Sequence, residues 1–304
     1  MKKFNFLISL TTKDNDYQDE QAVSAQQTAQ RLGVNAQIIY AENDVITQSQ
    51  QLLKAIQSSP ATRPDAIIFE PVSGTALPQV ARQAAATGIG WVILNSDVDY
   101  LKELRTTARA PAFLVTSDHV EIGRIQGRQM AALASEGGEA LYIQGPTNSA
   151  PAQQRIAGME ETKPRKVTAI FLKGQWTEAS GQQATRAWLR LSTSQRTVLA
   201  MVAAQDDSMA MGARKAFEEQ FPGAQRDKWR HLPFIGCDGL AKTGQKWVRN
   251  GQLAATVIVP PNTGLAMEKL LQALQQNMQI PERVLTKPVP FPALDELAKS
   301  ATKR

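Results

Sequence analysis

Cysteine and histidine are almost absent from this sequence of 304 residues. Cys237 is the single cysteine, and His119 and His231 are the two histidines. One cysteine cannot form a disulfide within the chain, and so few cysteines and histidines cannot supply a zinc site built from the usual Cys and His ligands. We therefore expect neither a metal centre nor an internal disulfide.

The short motifs that mark common cofactor and catalytic sites are also missing. No Gly-x-Gly-x-x-Gly segment lies between a predicted strand and a helix, and there is no P-loop, no Gly-x-Ser-x-Gly and no His-Glu-x-x-His. The segment "GIGWV" (88–92) has two glycines but leads into a strand, whereas a dinucleotide-binding turn follows one. We predict no cofactor, and no motif indicates an enzyme.

Long apolar runs are absent too. The N-terminal run from Phe4 to Leu10 follows two lysines but is interrupted by Asn5 and Ser9, and no small-residue cleavage site precedes "KDND". It is typical of a first strand rather than of a signal peptide. No apolar run reaches the ~18 residues of a membrane-spanning helix. Two localisations stay open, the cytoplasm or, if a signal has been removed, the periplasm.

Lysine and arginine give a net charge of +6 but are dispersed along the chain. The densest cluster is "KPRK" (163–166), which is typical of a solvated loop. A nucleic-acid-binding protein usually carries a whole basic face. We therefore predict no nucleic-acid partner.

Short apolar runs alternate with amphipathic helical patterns along the chain. A helix is predicted where Ala22, Ala25, Ala29 and Leu32 recur at helical spacing, with Gly33 as its C-terminal cap. Alternation of strand and helix indicates βαβ units and parallel sheets. Because the strands form two sets of five, we predict two similar α/β domains. The predicted strands are 4–10, 36–40, 66–70, 91–95 and 113–117, then 140–144, 167–172, 198–204, 233–237 and 254–259.

The residues that follow the predicted strands have a common chemical character. Ligands of open α/β sheets bind at the carboxyl ends of the strands. Aromatic rings there can stack on the C–H faces of sugars, while Asp, Asn and Arg hydrogen-bond hydroxyls. Each polar residue alone is equally typical of a helix N-cap, but the set as a whole indicates a carbohydrate site. It comprises Asn15, Asp16, Tyr17, Glu70, Asn95, Ser96, Asp97, Ser117, Asp118, Arg155, Trp176, Asp206, Asp207, Cys237 and Asp238.

Several segments together resemble the type I periplasmic binding proteins, specifically the ribose-binding-like sugar receptors. The ligand-binding domain of lactose-repressor-family regulators shares that fold. The resemblance runs from Phe4 to about Leu274. The segments are "PDAIIFEPV", "ATGIGWVILNSD", "VTSDHVEIGRIQGRQMA", "QRIAGME", "AAQDDSMAMGARKAF", "FIGCDG" and "NGQLAATVIVPPNTG".

The resemblance implies a set of ligand-binding residues. Some positions depart from the family pattern: Gln18 replaces a second aromatic, Asn95 and Ser96 replace an Asp-Arg pair, and His119 replaces an Asn. Cys237 replaces an aromatic, and Val259 or Pro260 stands where the family has Gln. The implied ligand-binding residues are Asn15, Tyr17, Asn95, Ser96, Ser117, Arg155, Trp176, Asp206 and Asp238.

The resemblance further implies two lobes that the chain crosses between several times. We expect an N-terminal lobe of residues 1–116 and 260–285 and a C-terminal lobe of 117–259 and 286–304. A small carbohydrate or polyol would bridge the lobes and stabilise a closed state. The expected protein is a monomer read by a membrane permease of the ABC type or by a sensor partner. The alternative is a ligand-sensing module, either a cytoplasmic or membrane-linked sensor or a regulator's effector domain.

The adjacent carboxylates in "AAQDDSMAMGA" (203–213) could form a pair, but neighbouring residues of an extended strand end point in opposite directions. We therefore expect separate roles for them. Asp207 is predicted to cap the following helix. Asp206 is predicted to face the ligand.

Overall fold

The computed structural model describes residues 3–72, 76–221, 223, 227–276 and 278–301. The chain divides into two compact units. Unit 1 comprises Met1–Ser117 and Pro261–Thr286, and unit 2 comprises Asp118–Pro260 and Lys287–Arg304. Each boundary lies one residue after the one expected from the sequence.

Strands and helices alternate along most of the chain. The strands are β1 (Asn5–Leu10), β2 (Asn35–Tyr40), β3 (Ala66–Phe69), β4 (Gly90–Leu94), β5 (Ala112–Ser117), β6 (Gly138–Gln144), β7 (Val167–Lys173), β8 (Leu199–Ala204), β9 (Phe234–Ile235), β10 (Thr256–Ile258), β11 (Arg283–Thr286) and β12 (Val289–Phe291). The helices are α1 (Asp16–Leu32), α2 (Val45–Ile56), α3 (Pro78–Ala86), α4 (Leu101–Thr107), α5 (His119–Leu133), α6 (Ala150–Thr162), α7 (Glu178–Leu189), α8 (Asp207–Gln220), α9 (Asp227–Arg230), α10 (Gly244–Arg249), α11 (Thr263–Gln276) and α12 (Leu294–Ala301). A short 3-10 turn occupies Ser194–Arg196.

All ten predicted strands are confirmed, and the parallel α/β class with them. The sequence did not reveal β11 and β12, which are short and only partly buried. β12 also departs from the all-parallel expectation, because it pairs antiparallel with β10.

Unit 1 contains a parallel sheet with the strand order β11-β5-β4-β3-β1-β2. Side chains alternate along β1, so that Phe6 and Ile8 pack with residues of α1 and α11, whereas Leu7 packs with residues of α2, α3 and α4. Helices therefore cover both faces of the sheet; β3, β4 and β5 are wholly buried, whereas the edge strands β2 and β11 are partly exposed. All carboxyl ends of its strands lie along one edge.

Local signals explain where the first helix begins and ends. Asn15 is the N-cap of α1, and its side-chain oxygen accepts hydrogen bonds from the backbone N–H groups of Tyr17 and Gln18. Gly33 ends the helix with φ 68°, a left-handed conformation that glycine adopts without a steric penalty. The predicted C-cap is confirmed.

Unit 2 contains a parallel sheet with the strand order β7-β6-β8-β9 and the separate β10-β12 pair. On β6, Leu141 and Ile143 pack with α7 and α8, whereas Ala140 and Tyr142 pack with α5, α6 and α12. This unit therefore repeats the two-sided covering of unit 1. Its carboxyl edge is formed by the ends of β6, β7, β8 and β9.

Helices α5 and α6 approach closely because both carry glycine at their contact. A Cβ atom on Gly158 would lie 1.9 Å from the carbonyl oxygen of Val120, and one on Gly123 would lie 2.0 Å from that of Arg155. Neither backbone oxygen can move without displacing a helix. The contact therefore fixes where α6 places Arg155.

The Gly158→Ala variant is expected to lower the free energy of unfolding by about 1–3 kcal/mol, because the added methyl group overpacks the contact. Helix propensity alone predicts the opposite sign, a gain of about 1 kcal/mol. Urea denaturation followed by circular dichroism measures the change. Ala157→Gly at the exposed neighbouring position is the matched control, and a stabilised Gly158→Ala variant would contradict the close-contact argument.

Within the described ranges, no helix combines the length and the apolar character needed to cross a membrane.

Candidate functional site

The strand order of unit 2 places a switch point between β6 and β8. The chain leaves β6 for β7 on one side and later returns to β8 on the other. Open α/β sheets bind ligands at the carboxyl ends of the strands beside such a point. The residues that follow these two strands include Arg155, carried by α6, and Asp206, which directly precedes α8.

Arg155 lies buried at this edge. Its residue is only 6% exposed, and its Nη1 donates to the backbone oxygen of Gln205. Its guanidinium carbon lies 5.4 Å from the ring centroid of Trp176, a cation–π arrangement. Among the described residues, its Nε–H has no acceptor. The guanidinium is therefore held by a hydrogen bond from Nη1 and lies over an aromatic ring.

The charges around Arg155 keep it protonated. Burial alone would lower its pKa, but the carboxylates of Asp238 and Asp206 are close enough to raise the pKa above the ordinary value of arginine. Burial also raises the pKa of Cys237 well above the ordinary thiol range, so that Cys237 remains a neutral thiol. The edge therefore presents one guanidinium with the carboxylates of Asp206 and Asp238, and the sequence-predicted set in unit 2 is brought together.

Trp176 owes its position to a glycine. A Cβ atom on Gly145, directly after β6, would lie 2.0 Å from Cζ2 of the Trp176 ring, so that any larger residue there would expel the ring. Thr177 follows as the N-cap of α7, with a reciprocal hydrogen bond to Ser180. The ring is half-buried and lies at the carboxyl edge of the sheet.

Three of the predicted ligand residues have left-handed backbones. Asn95 has φ 56°, Trp176 has φ 60° and Asp238 has φ 98°. Such conformations cost of order 1–3 kcal/mol in non-glycine residues and concentrate at functional sites. All three lie within three residues of a strand end, which is a second indication, independent of residue type, that these edges bind a ligand.

The predicted position of the helix cap needs correction. Asp206, not Asp207, is the N-cap of α8: its φ and ψ are −142° and 164°, and its Oδ1 accepts from the N–H of Met209 at 2.5 Å. The helix starts one residue earlier than expected, so Asp207 already has a helical backbone. Asp207 instead accepts from the N–H of Gly239 at 2.8 Å and from the hydroxyl of Thr256 at 2.6 Å.

Gln205 holds the parts of this edge together and was not predicted. Its Oε1 accepts from the N–H of Gly145 at 2.8 Å, and its Nε2 donates to the carbonyl of Ala152 at 2.9 Å. Its backbone oxygen receives the Nη1 of Arg155. One buried side chain thus joins the end of β6, the start of α6 and the end of β8. Its only sequence signal is its place beside Asp206.

A second buried amide extends this network. Gln205 Nε2 also donates to the Tyr142 hydroxyl at 3.3 Å, which in turn donates to Oε1 of Gln126 at 2.8 Å. Gln126 then donates to the carbonyls of Ala204 and Gly236. Burial raises the pKa of Tyr142 above that of an exposed phenol, so its hydroxyl stays a donor. The network ties β6, β8 and β9 together where they end.

In unit 1 the corresponding switch point lies between β1 and β3. Asn15 and the buried Tyr17 follow β1 at the start of α1. Gln18, which replaces an aromatic of the family pattern, accepts from the N–H of Thr11 at 3.0 Å and donates to Oε2 of Glu70 at 3.0 Å. Gln18 therefore joins the chain segments that follow the two strands.

Asn95 and Ser117 are joined by hydrogen bonds through two residues that the sequence did not indicate. The Asn262 side chain contacts Asn95, the Thr286 hydroxyl contacts Asn262, and the Ser117 hydroxyl contacts Thr286. Ser96 is half-buried beside Asn95. Ser117, Asn262 and Thr286 lie where the chain leaves or re-enters unit 1, next to the boundaries at 117/118, 260/261 and 286/287.

A groove of about 660 Å³ also lies on unit 1, but at the opposite edge of the sheet. Its lining includes Asn5 and Asn35 at the amino ends of β1 and β2, together with Gln51, Lys54 and Thr62. It contains none of the predicted ligand residues. The carboxyl edges therefore remain the candidate site.

The described residues offer no cluster of three or more His, Cys, Asp or Glu side chains that could hold a metal ion. The carboxyl edges instead combine hydrogen-bonding groups with aromatic rings. A fold of two parallel α/β units with such edges is the one expected of a solute-binding protein. The chain belongs to the family described as the periplasmic binding protein domain, whose model matches residues 6–278.

Relatives and solved structures agree with this assignment. The ribose import binding protein of Salmonella typhimurium (strain LT2) is 24% identical over 262 residues, which covers 86% of this chain and 81% of the relative. A periplasmic solute-binding protein of an ABC transporter from Actinobacillus succinogenes 130z, with bound D-allose, superposes with a TM-score of 0.83 at 18% identity and covers 99% and 100% of the two chains.

The fructose-binding periplasmic domain of a hybrid two-component system shares the fold as well. It superposes with a TM-score of 0.77 at 18% identity and covers 99% of this chain and 95% of that chain. The family is made of solute-binding proteins rather than enzymes. The same architecture thus occurs in a solute-binding protein of an ABC transporter and in a periplasmic domain of a two-component system.

Proposed function

We propose that this protein captures a carbohydrate or polyol and delivers it to an ABC-type transporter. The observation that carries the proposal is the buried Arg155 guanidinium, stacked on Trp176 and flanked by Asp206 and Asp238. A guanidinium and carboxylates bind pairs of hydroxyls, and an indole ring covers the apolar face of a sugar. The names of the relatives support the same ligand class.

Ligand capture is proposed to proceed without chemistry. In this proposal one ligand contacts residues of both units. They are Asn15, Tyr17, Asn95 and Ser96 of unit 1 and Arg155, Trp176, Asp206 and Asp238 of unit 2. Bound ligand then favours a closed arrangement of the units, because only that arrangement makes both sets of contacts. No bond is made or broken, and the protein acts as a monomer that a membrane permease reads.

Calorimetry with a panel of D-ribose, D-allose, D-fructose, L-arabinose, myo-inositol and glycerol tests the function. At least one member is expected to bind and to change tryptophan fluorescence. In the Trp176→Phe variant most of that change is expected to disappear, with affinity weakened by about three- to tenfold, because a smaller ring covers less of the sugar.

Trp247→Phe is the matched control, since Trp247 is half-buried, packs against the core of unit 2 and is not among the predicted ligand residues. It is expected to retain the ligand-induced signal. Binding of no member of the panel by the wild-type protein would refute the carbohydrate function.

A sensor role is the second candidate, and the two-component periplasmic domain of the same fold favours it. The two roles differ in the partner of the ligand-bound protein. Ligand-dependent stimulation of a permease's ATP hydrolysis would support transport, whereas ligand-dependent phosphorylation of a histidine kinase would support sensing.

A further inference from the structure

A continuous chain of hydrogen bonds in unit 1 ends at Asn95. Ser117 Oγ lies 3.0 Å from Thr286 Oγ1, and the Thr286 hydroxyl donates to Oδ1 of Asn262 at 3.0 Å. Nδ2 of Asn262 donates to Oδ1 of Asn95 at 2.5 Å. Each link is between side chains of unit 1.

The hydrogen bonds of this series all run in one direction, from donor to acceptor. Because Thr286 gives its only hydroxyl proton to Asn262, it must accept the proton of Ser117. Asn262 then uses its oxygen toward Thr286 and its amino group toward Asn95. The carbonyl oxygen of Asn95 is thereby engaged.

Asn262 is also held by hydrogen bonds outside this series. It is fully buried, and its backbone N–H donates to Oε1 of Gln21 at 2.7 Å. The next residue, Thr263, donates to the same oxygen and to the backbone oxygen of Gln21. Rotating the Asn262 amide by itself would set its oxygen against that of Asn95. The two amides therefore have to be oriented together.

We propose that Asn262 is a positioning residue that makes Asn95 a hydrogen-bond donor toward the ligand. This inference rests on the carbohydrate function proposed above. With its oxygen engaged by Asn262, Asn95 presents its Nδ2 group, so the ligand must offer an oxygen lone pair at that place. A carboxylate at position 95 would instead require a ligand donor. Asn262 thus determines whether the ligand hydroxyl at this place must accept or donate a hydrogen bond, although Asn262 itself does not contact the ligand.

The Asn262→Asp variant tests this orientation with almost no change in shape. A carboxylate at 262 can accept from Thr286 and from Nδ2 of Asn95, but it cannot donate. Asn95 is then expected to turn its oxygen toward the ligand. Position 262 directly precedes α11, where negative charge is favoured by the helix N-terminus, so the variant is expected to fold.

The probes are the panel sugar or polyol that binds, with its single-position deoxy and deoxyfluoro derivatives. Fluorine accepts a hydrogen bond weakly and cannot donate one. At one ring position the wild-type protein is expected to bind the deoxyfluoro derivative about threefold more tightly than the deoxy derivative, a modest hydrogen-bond effect. In Asn262→Asp this preference is expected to reverse, because fluorine would face the Asn95 oxygen.

Asn250→Asp, at an exposed position in unit 2, is the charge control and is expected to keep the wild-type preference. If Asn262→Asp fails to fold, Thr286→Val removes the donor that orients Asn262, and the preference is expected to fall toward unity. An unchanged preference in a folded variant would overturn the inference while leaving the carbohydrate function intact. Binding of no panel member by the wild-type protein would overturn both.

Discussion

Arg155→Ala is expected to weaken carbohydrate binding at least about 100-fold while the protein stays folded. Each hydrogen bond to a charged group contributes about 1.5–3 kcal/mol, and an arginine can make two to a pair of hydroxyl oxygens. Its removal also leaves Asp206 and Asp238, whose charges it offsets, without that cation. Calorimetry with the panel ligand measures the loss, and thermal unfolding confirms the fold.

Two further variants separate charge from geometry. Arg155→Lys keeps the positive charge but loses the planar donor fork, so affinity is expected to fall about tenfold. Arg249 also lies over an aromatic ring, 5.4 Å from the centroid of Phe291, but is exposed. Arg249→Ala is expected to bind like the wild type. Undiminished affinity in Arg155→Ala would show that the ligand lies elsewhere.

The sheet cores were predictable because a parallel strand that is buried on both faces has an unbroken run of apolar residues. Runs such as "AIIF" of β3 contain nothing but buried apolar residues, and such runs stand out between polar helices. β11 and β12 lack such a run. In β11, "RVLT", two residues are exposed and the alternate two are only half-buried. Their pairing partners lie more than thirty residues away, and no local pattern encodes that choice.

The candidate site was predictable as a list of residues after strand ends, but not as a network. Arg155 and Trp176 follow different strands, and their stacking became evident only in three dimensions. Gln205 and Asn262 act through partners distant in sequence, and an amide has no local signature that separates this use from solvent exposure. The cap was predicted at Asp207 rather than at Asp206 because a helix start is uncertain by a residue or two, and one residue decides which carboxylate is the cap.

Asp207 does not cap the helix but is a structural centre of unit 2. The residue is 3% exposed, and the donors it serves belong to Gly239, which follows Asp238, and to Thr256 of β10. A Cβ atom on Gly236 or Gly244 would lie 2.1 Å or 1.9 Å from the carboxylate oxygens. The chain therefore closes around this carboxylate, and no larger residue fits at either glycine.

Asp207→Ala is expected to lower the free energy of unfolding of unit 2 by about 3 kcal/mol, because two buried donors lose a charged acceptor. Four of the five tryptophans, all but Trp91, lie in unit 2, so fluorescence-detected urea denaturation follows that unit.

Asp206→Asn is the control, since asparagine caps a helix as well as aspartate does, and its stability is expected to stay within about 0.5 kcal/mol of wild type. Equal losses in both variants would mean that Asp207 acts only through the helix start. A loss confined to Asp207→Ala, together with weaker ligand binding, would show that the carboxylate holds the Asp238 loop in its binding position.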